Sequence, residues 1–396
     1  MRIAIFHNLT FGGAKVSIYE IVKRLRINHN IQVDYYRYDI TDENILDLSE
    51  VADNTYTYSH TRLPKSTGYN PFKKIFLYFN LKRIDKIIAS DINKRDYDIA
   101  FIHHSTHVQC PMILRYINLP IVYFCQDPFR RGYEKKKAST KSLLDLFRTH
   151  LLSLTDIFLK KIDQYNISFA HSVLVNSCYS SEAISRIYGV NTKVVYLGVD
   201  TNKYRLGENR RENYIMSVGL LTPTKGFDFL IRAVANIPEI YRPPLVIFNN
   251  IENSATGKSY RDFLLELAST LEVVLILRDG KDTKALIDGY QKARIVAFTP
   301  YLEPLGIVPL EAMACGTPVV GVREAGVRET VIDGFNGLTT NRDIDEFSQA
   351  ITRLITDPLL WNSLAINCRS SVVKSWSWDS VALRVFKEFK RVVKSH

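Results

Sequence analysis

The chain has 396 residues, 46% of them hydrophobic and 23% charged, and a formal net charge of +11. That length exceeds one ordinary core and points to two or three domains. No stretch approaches the roughly 20 consecutive apolar residues of a membrane-spanning helix, and the opening MRIAIFHNLTFGG reads as a buried strand and turn, not a signal peptide.

The first predicted strand is Ile3 to His7, followed by the Gly12–Gly13 turn and a helical pattern from Ala14 to Leu25. Further strands are expected at Gln32 to Tyr36, Ile99 to His103, Ile121 to Cys125 and Val173 to Val175, with amphipathic helical stretches between them. Such alternation implies a parallel sheet covered on both faces. From His60 to Tyr165 the chain carries 19 Lys and Arg against 9 Asp and Glu, nearly all of the basic excess. A nucleic acid, an anionic membrane or a phosphate-bearing substrate would suit this surplus, and so would a solvated face with no partner. No aromatic-interleaved recognition element accompanies it, which argues against nucleic acid. Arg130, Arg131, Lys135, Lys136 and Lys137 form a cluster suited to anionic lipid. The stretch SLLDLFRTHLLSLTDIFLKKIDQY is either a membrane-surface helix or a helix covering the sheet.

Several polar residues fall near the expected strand ends. His103, His104 and His107 would contact an acceptor, belong to a polar loop or bind zinc. Asp96 and Asp98 read as solvated residues where a strand begins. The five cysteines have no metal or redox spacing and read as buried, reduced thiols of a cytosolic protein.

After Asp200 the chain turns polar, as a linker does, and the pattern then restarts. YIMSVGLL, PPLVIFNN, VVLILRD, RIVAFTP and PVVGV are strands separated by helices. Two doubly wound α/β domains are therefore expected, residues 1–205 and 206–373. Residues 374–396 hold an amphipathic helix, with Val381, Val385 and Phe389 on one face. It could pack on either domain; we assign it to the first.

The most informative stretch is YLEPLGIVPLEAMACGTPVVG. Glu303 lies in a loop after a strand, a helix begins near Ile307, and Glu311 sits about one turn inside it. Amides at Leu305, Gly306 and Ile307 would meet an anion at the helix start. Gly306 permits close approach of a ligand to the backbone. The two carboxylates would repel a phosphate but accept hydrogen bonds from hydroxyls. A diphosphate with hydroxyl-rich rings at either end, a nucleotide sugar, satisfies both demands. Lys225, on the turn TPTKG, suits a phosphate as a point charge. The Gly12–Gly13 turn would let the first domain approach a phosphate, although it lacks the full dinucleotide fingerprint.

FGGAK, SVLVNSCYSSEAISRIYGV, KVVYLGVD, SVGLLTPTKGFDFLIRA, EPLGIVPLEAMACGTPVVG and VIDGFNGL, spread over nearly the whole chain, resemble the family 4 glycosyltransferases. The resemblance implies the GT-B fold, two doubly wound Rossmann-like domains facing across a cleft, with the C-terminal helix crossing back to the first. It implies a retaining enzyme that moves a sugar from a nucleotide sugar, a UDP-sugar being favoured, to a glycan or lipid-linked acceptor. It implies no cofactor and no metal, and a cytoplasmic enzyme peripheral to the inner face of the membrane. Glu303 would contact the donor sugar and Glu311 the ribose diol. Lys225, the amides of Leu305 to Ile307 and the Gly12–Gly13 loop would hold the diphosphate. Arg278 falls in the base-contacting loop, and Gln126, His103, His104 and Asp127 would contact acceptor or sugar. Same-face attack is implied, with the leaving phosphate taking the acceptor's proton; no clear carboxylate nucleophile stands out for a covalent alternative, Asp127 being a candidate by its neighbourhood alone. Three positions depart from the family pattern, one of them, Leu305 for the usual phenylalanine, without consequence. Leu220 stands where an arginine is usual, a cation that Arg323 or Arg328 would have to replace, and Gln126 stands in place of a histidine. These departures leave an alternative, an inactive glycosyltransferase-like partner that only binds or scaffolds.

Overall fold

The run Ile3–Phe6 is fully buried, as an all-apolar strand must be when helices cover both faces of its sheet. The computed structural model of the chain describes residues 1–9, 12–39, 46–59, 71–105, 108–127, 157–208, 210–249 and 255–396. The chain divides into two compact units. One is Met1–Tyr196 with Val381–His396, the other Leu197–Ser380.

The first unit contains, in order, β1 (Arg2–Asn8), α1 (Gly13–His29), β2 (Gln32–Tyr38), β3 (Asn54–Tyr58), α2 (Pro71–Ile92), β4 (Ile99–Ser105) and β5 (Ile121–Phe124). A helix at 157–167, α3, follows, then β6 (Ser172–Val175), α4 (Cys178–Tyr188) and β7 (Thr192–Val194). The strands pair in parallel in the order β3-β2-β1-β4-β5-β6-β7. Alternate residues of β1 serve opposite faces. Ala4 and Phe6 join a core with Leu77, Tyr78, Leu81 and Ile88 of α2 and Ile162 and Ile167 of α3.

The second unit contains β8 (Ile215–Val218), α5 (Phe227–Ala235), β9 (Leu245–Asn249), α6 (Ala255–Thr270), β10 (Leu275–Asp279), α7 (Thr283–Lys292) and β11 (Ile295–Phe298). It continues with α8 (Ile307–Ala314), β12 (Val319–Val322), α9 (Val327–Thr330), β13 (Gly337–Thr340), α10 (Ile344–Thr356) and α11 (Pro358–Ser375). Its strand order is β10-β9-β8-β11-β12-β13, again parallel. Buried residues of α5, α6 and α10 cover one face and those of α7, α8 and α11 the other. A last helix, α12 (Trp378–Ser395), belongs to the first unit from Val381 onward.

The expected apolar face of α12 is buried, with Val381, Val385 and Phe389 all at 0% exposure. Phe389 meets the edge of Phe101, and Phe386 stacks on His29 of α1. Glu388 fixes the helix against the sheet. It accepts from Ser172 Oγ at 2.6 Å and pairs with Lys193 and Arg391 at 2.7 Å each.

Four features were not apparent in the sequence. β3, β7 and β13 are short, polar or glycine-led edge strands without an apolar run. The polar stretch after Asp200 is no free linker. Tyr204 is buried, and Arg211 donates to Tyr290 O, Cys315 O and Thr317 Oγ1, so these residues are fastened to the second unit. Asp98 accepts from the Arg2 amide at 2.6 Å and so ties β4 to β1. Four cysteines are buried, whereas Cys178 is exposed at the start of α4.

The salt bridges and the Ser172 bond hold the Glu388 carboxyl down at about 2, against burial, which opposes ionisation. Its folded pKa lies below the unfolded value of about 4.3. The resulting stability is present above that value and lost as pH falls toward 2. Glu388→Gln should therefore destabilise the chain by about 1–2 kcal/mol at neutral pH, a modest figure because both cations are half exposed. In chemical denaturation the deficit should shrink across that acid window; a constant deficit would contradict this account.

Candidate functional site

In a doubly wound sheet, ligands bind at the carboxyl ends of the strands, where the order reverses. That point lies between β8 and β11 in the second unit and between β1 and β4 in the first. The loop after β8 carries Lys225, and the loop after β11 carries Glu303.

The structure brings these two residues together. Lys225 Nζ donates to Glu303 Oε2 at 2.8 Å. Their backbones are joined as well. Tyr301 N–H donates to Thr224 O at 2.9 Å, and Thr299 Oγ1 reaches Lys225 O and Gly226 O at 3.1 Å each. Gly226 has φ 66°, and a Cβ there would lie 2.3 Å from Thr299 O, so this close approach requires glycine.

The loop from Thr299 to Gly306 leads into α8, whose cap is Gly306 at φ 85°. A Cβ at Gly306 would strike the Phe298 ring at 2.8 Å. Leu305 is buried, which anchors the loop, and Gly326 N–H donates to Glu303 O at 3.0 Å. Amides of the first turn of α8 lack intrahelical acceptors, as at any helix start.

Glu311 lies inside α8, half-buried. Tyr290 donates to Glu311 Oε2 at 2.8 Å, and Tyr204 also bonds the carboxylate. Burial raises the Glu311 carboxyl above its ordinary range, while the two phenols and Lys203 oppose the shift. A carboxylate has about four lone-pair positions, so these bonds leave room for further donors.

Arg342, which the sequence reading passed over, positions the whole loop. Its guanidinium donates to Thr299 O and Pro300 O at 2.9 Å each and pairs with Glu324 at 2.7 Å. It also lies 3.7 Å over the Tyr301 ring. The arginine follows an unforeseen edge strand, and no local motif marks it.

Other expected residues fall elsewhere. Arg278 sits on the edge strand β10 and lines a groove of about 360 Å³ with Tyr214, Phe248, Asp288 and Lys292. Arg323 donates to Thr339 Oγ1 and O at 3.1 and 2.9 Å. Arg328 is exposed on α9, and Leu220 is partly exposed after β8.

In the first unit, Gly12 lies in extended backbone, and no described residue comes within 4 Å of where a Cβ would go. Packing against the described residues therefore does not demand glycine there. His103 and His104 lie at the end of β4, and His7 near the end of β1. His7 stacks on Tyr35 and accepts from Leu9 N–H through Nδ1 at 3.3 Å. Among the described residues, His7 Nε2, His103 Nδ1 and Nε2, and His104 Nδ1 are buried without a protein partner. Burial lowers His7 to about 3, with Lys15 adding to the effect, lowers His104 to about 4 and holds His103 well below its usual value. All three are neutral near pH 7 and act as hydrogen-bonding groups, not charges. Gln126 is buried, and its amide donates to Ser17 Oγ at 2.7 Å, tying the segment after β5 to α1. Asp127 follows directly, its carbonyl accepting from Gln109 Nε2. Arg130, Arg131, Lys135, Lys136, Lys137 and His107 lie outside the described residues.

Residues 11–203 match the model of Glycosyltransferase Family 4, and residues 199–370 match that of Glycosyl transferases group 1. The chain is 27% identical over 248 residues to D-inositol 3-phosphate glycosyltransferase of Rhodococcus jostii, covering 58% of this chain and 54% of that protein. It spans about half the length of the curated relatives it matches. Sucrose-phosphate synthase from Thermosynechococcus elongatus superposes with TM-score 0.78 at 18% identity over 100% of both chains. HepE of Anabaena, solved with UDP-glucose, superposes with TM-score 0.75 at 18% identity over 99% of this chain and 100% of its own. At such identity the likeness shows the fold, and that fold is GT-B. With two successive family models running from residue 11 to residue 370, the chain belongs to the family 4 glycosyltransferases.

Proposed function

We propose that the protein is a retaining glycosyltransferase. It moves a sugar from a nucleoside-diphosphate sugar, taken as a UDP-sugar, to a hydroxyl of a glycan or lipid-linked acceptor at a membrane surface. The observation that carries this reading is the Lys225–Glu303 pair at the β8–β11 switch point, directly before the start of α8.

The diphosphate docks on the amides of Leu305, Gly306 and Ile307 and draws Lys225 to itself. The side chains of Lys225 and Glu303 are 27% and 23% exposed, so their pair is worth at most about 1 kcal/mol and yields readily to a more highly charged partner. Glu303, released, accepts hydroxyl hydrogens of the donor sugar, and Glu311 accepts those of the ribose diol. The acceptor oxygen attacks the anomeric carbon on the face from which the diphosphate leaves. The carbon–oxygen bond to the phosphate breaks, the new glycosidic bond forms, and the acceptor's proton passes to the departing phosphate oxygen. Lys225 and the α8 amides stabilise the growing negative charge, a task that needs no metal when cationic and amide donors are already aimed. Gly12 leaves space in the first unit for a phosphate or acceptor group. The neutral imidazole of His104, partly exposed, can accept an acceptor hydroxyl, whereas His103, at 0% exposure, is closed to one.

Release of nucleoside diphosphate from a panel of UDP-, GDP- and ADP-sugars tests this reading; no release with any donor would favour a binding or scaffolding role. Lys225→Ala should lower kcat by about 10²-fold, the effect of losing one preorganised donor to a developing anion. A near-normal kcat would remove Lys225 from the reaction.

The raised Glu311 carboxyl gives a pH test. Protonation abolishes its capacity to accept both diol hydrogens, so donor KM should climb as pH falls, beginning above the ordinary carboxylate range. Glu311→Gln should have a higher, pH-independent KM in that range. An acid limb unchanged in the variant would assign it to another group.

Arg342→Met should raise donor KM and lower kcat, roughly 10- to 100-fold in kcat/KM together, because the loop carrying Glu303 loses its clamp. Arg342→Lys should recover only part, since one ammonium cannot hold Glu324 and two carbonyls as a planar fork does. Full recovery by lysine would show that charge, not positioning, is what matters.

A further inference from the structure

We propose that Tyr204 and Tyr290 are positioning residues for the donor ribose: their phenol O–H groups hold the Glu311 carboxylate in an orientation that presents an oxygen to each hydroxyl of a vicinal diol. The proposal rests on the reading that Glu311 receives that diol.

The two tyrosines reach the same carboxylate from different elements. Tyr290, at 0% exposure, lies near the end of α7 and donates to Glu311 Oε2 at 2.8 Å. Tyr204 lies in the turn after Asp200 and also donates to the carboxylate. The two rings meet edge to face, with 6.1 Å between centroids and 66° between planes. Burial first, and the Glu311 charge second, hold both phenols far above their usual range. Each proton therefore stays on its phenol oxygen, and each phenol faces the carboxylate as a donor.

The backbone beneath both phenols is fixed. Arg369 of α11 donates to Tyr204 O at 2.9 Å and to Thr201 O at 3.1 Å. It also donates to the carbonyl of Ala314, the last residue of α8, at 2.7 Å. One guanidinium thus clamps the Tyr204 turn to the helix that carries Glu311. Within the turn, Asp200 Oδ1 accepts from the amides of Asn202 and Lys203 at 3.0 and 3.1 Å, and Tyr204 N–H donates to Asp200 O at 2.8 Å. On the other side, Tyr290 O accepts from Thr317 Oγ1 at 2.6 Å and from Arg211 at 2.9 Å.

Filling space does not require these hydroxyls. Phenylalanine has the same ring, and a buried hydroxyl is unfavourable unless it is bonded. Both hydroxyls are directed at one carboxylate. Lys203 adds a Coulombic pull on Glu311 but is itself exposed. Neutral donors, more than a cation, therefore hold Glu311, and its charge remains available to further donors. A carboxylate has about four lone-pair positions. Two phenols leave about two, the number that a vicinal diol requires. Without the phenols the carboxylate would turn about its last bond, and the diol would lose part of its grip. The consequence is selectivity for ribose over 2′-deoxyribose, because a site poised for two hydroxyls loses a charge-assisted bond when one is missing.

Binding of UDP, GDP and ADP, each beside its 2′-deoxy counterpart, is measured by calorimetry on the full chain. The ribonucleotide that binds best should bind about 10- to 100-fold more tightly than its deoxy form, the effect of one hydrogen bond to a charged group. Tyr204→Phe and Tyr290→Phe should each cut that ratio about fivefold, chiefly by weakening the ribonucleotide. Glu311→Gln should lower the ratio further, and adding Tyr290→Phe to it should change nothing more. Tyr214→Phe is the control. The Tyr214 hydroxyl donates to Gly289 O at 2.7 Å, a bond to α7 that does not involve Glu311, so its loss should leave the ratio at the wild-type value. A ratio unchanged by both Tyr204→Phe and Tyr290→Phe, or lowered as much by Tyr214→Phe, would overturn the proposal and leave the transferase reading standing. Equal binding of ribonucleotide and deoxynucleotide by the wild type would take the diol away from Glu311, and the proposal with it. No binding of any nucleoside diphosphate would sink the transferase reading and the proposal together.

Discussion

Lys225 and Glu303 lie 78 positions apart, yet meet because β8 and β11 are neighbours in a parallel sheet whose order reverses between them. At that junction the two following helices leave on opposite faces, so the strand ends are not roofed by a crossover. Loops gather there, and their backbones remain close to each other. The rest of the second unit serves this arrangement. Gly226 and Gly306 allow the close approaches, Leu305 anchors the loop from below, and Arg342 stitches the carbonyls of Thr299 and Pro300 to Glu324. A weak, half-exposed ion pair then sits on a rigid base. Such a base limits the reorganisation that charge development would otherwise require.

The same constraint repeats in the first unit with different chemistry. There the junction between β1 and β4 carries Gly12, Lys15 and the neutral imidazoles of His7, His103 and His104.

Much of this was legible in the sequence, for physical reasons that differ from residue to residue. Central parallel strands announce themselves because burial on both faces leaves no polar alternation, as in Ile3–Phe6. The helix beyond Gly306 was visible because a strand and a short glycine-bearing loop lead directly into the apolar run IVPLEAMA. Three of the four edge strands, β3, β7 and β13, were not visible. β3 reads NTYTY and β7 reads TKV, sequences that a loop could equally carry. Tyr204 was hidden in a stretch that looked like a linker, and its burial against Tyr290 and Glu311 depends on contacts no local pattern encodes. Arg342 was missed for the same reason, and the contact between Lys225 and Glu303 became apparent only once the strand order was known. Arg278 lies on the edge strand β10 and lines a groove with Tyr214 and Phe248, a placement that no local pattern announced.

The most direct measurement is a crystal structure of the protein with UDP bound. The account predicts the β-phosphate within hydrogen-bond distance of the amides of Leu305 to Ile307, Lys225 turned from Glu303 onto a phosphate oxygen, and the ribose hydroxyls on Glu311. UDP bound at any other place, with the Lys225–Glu303 contact intact, would contradict it.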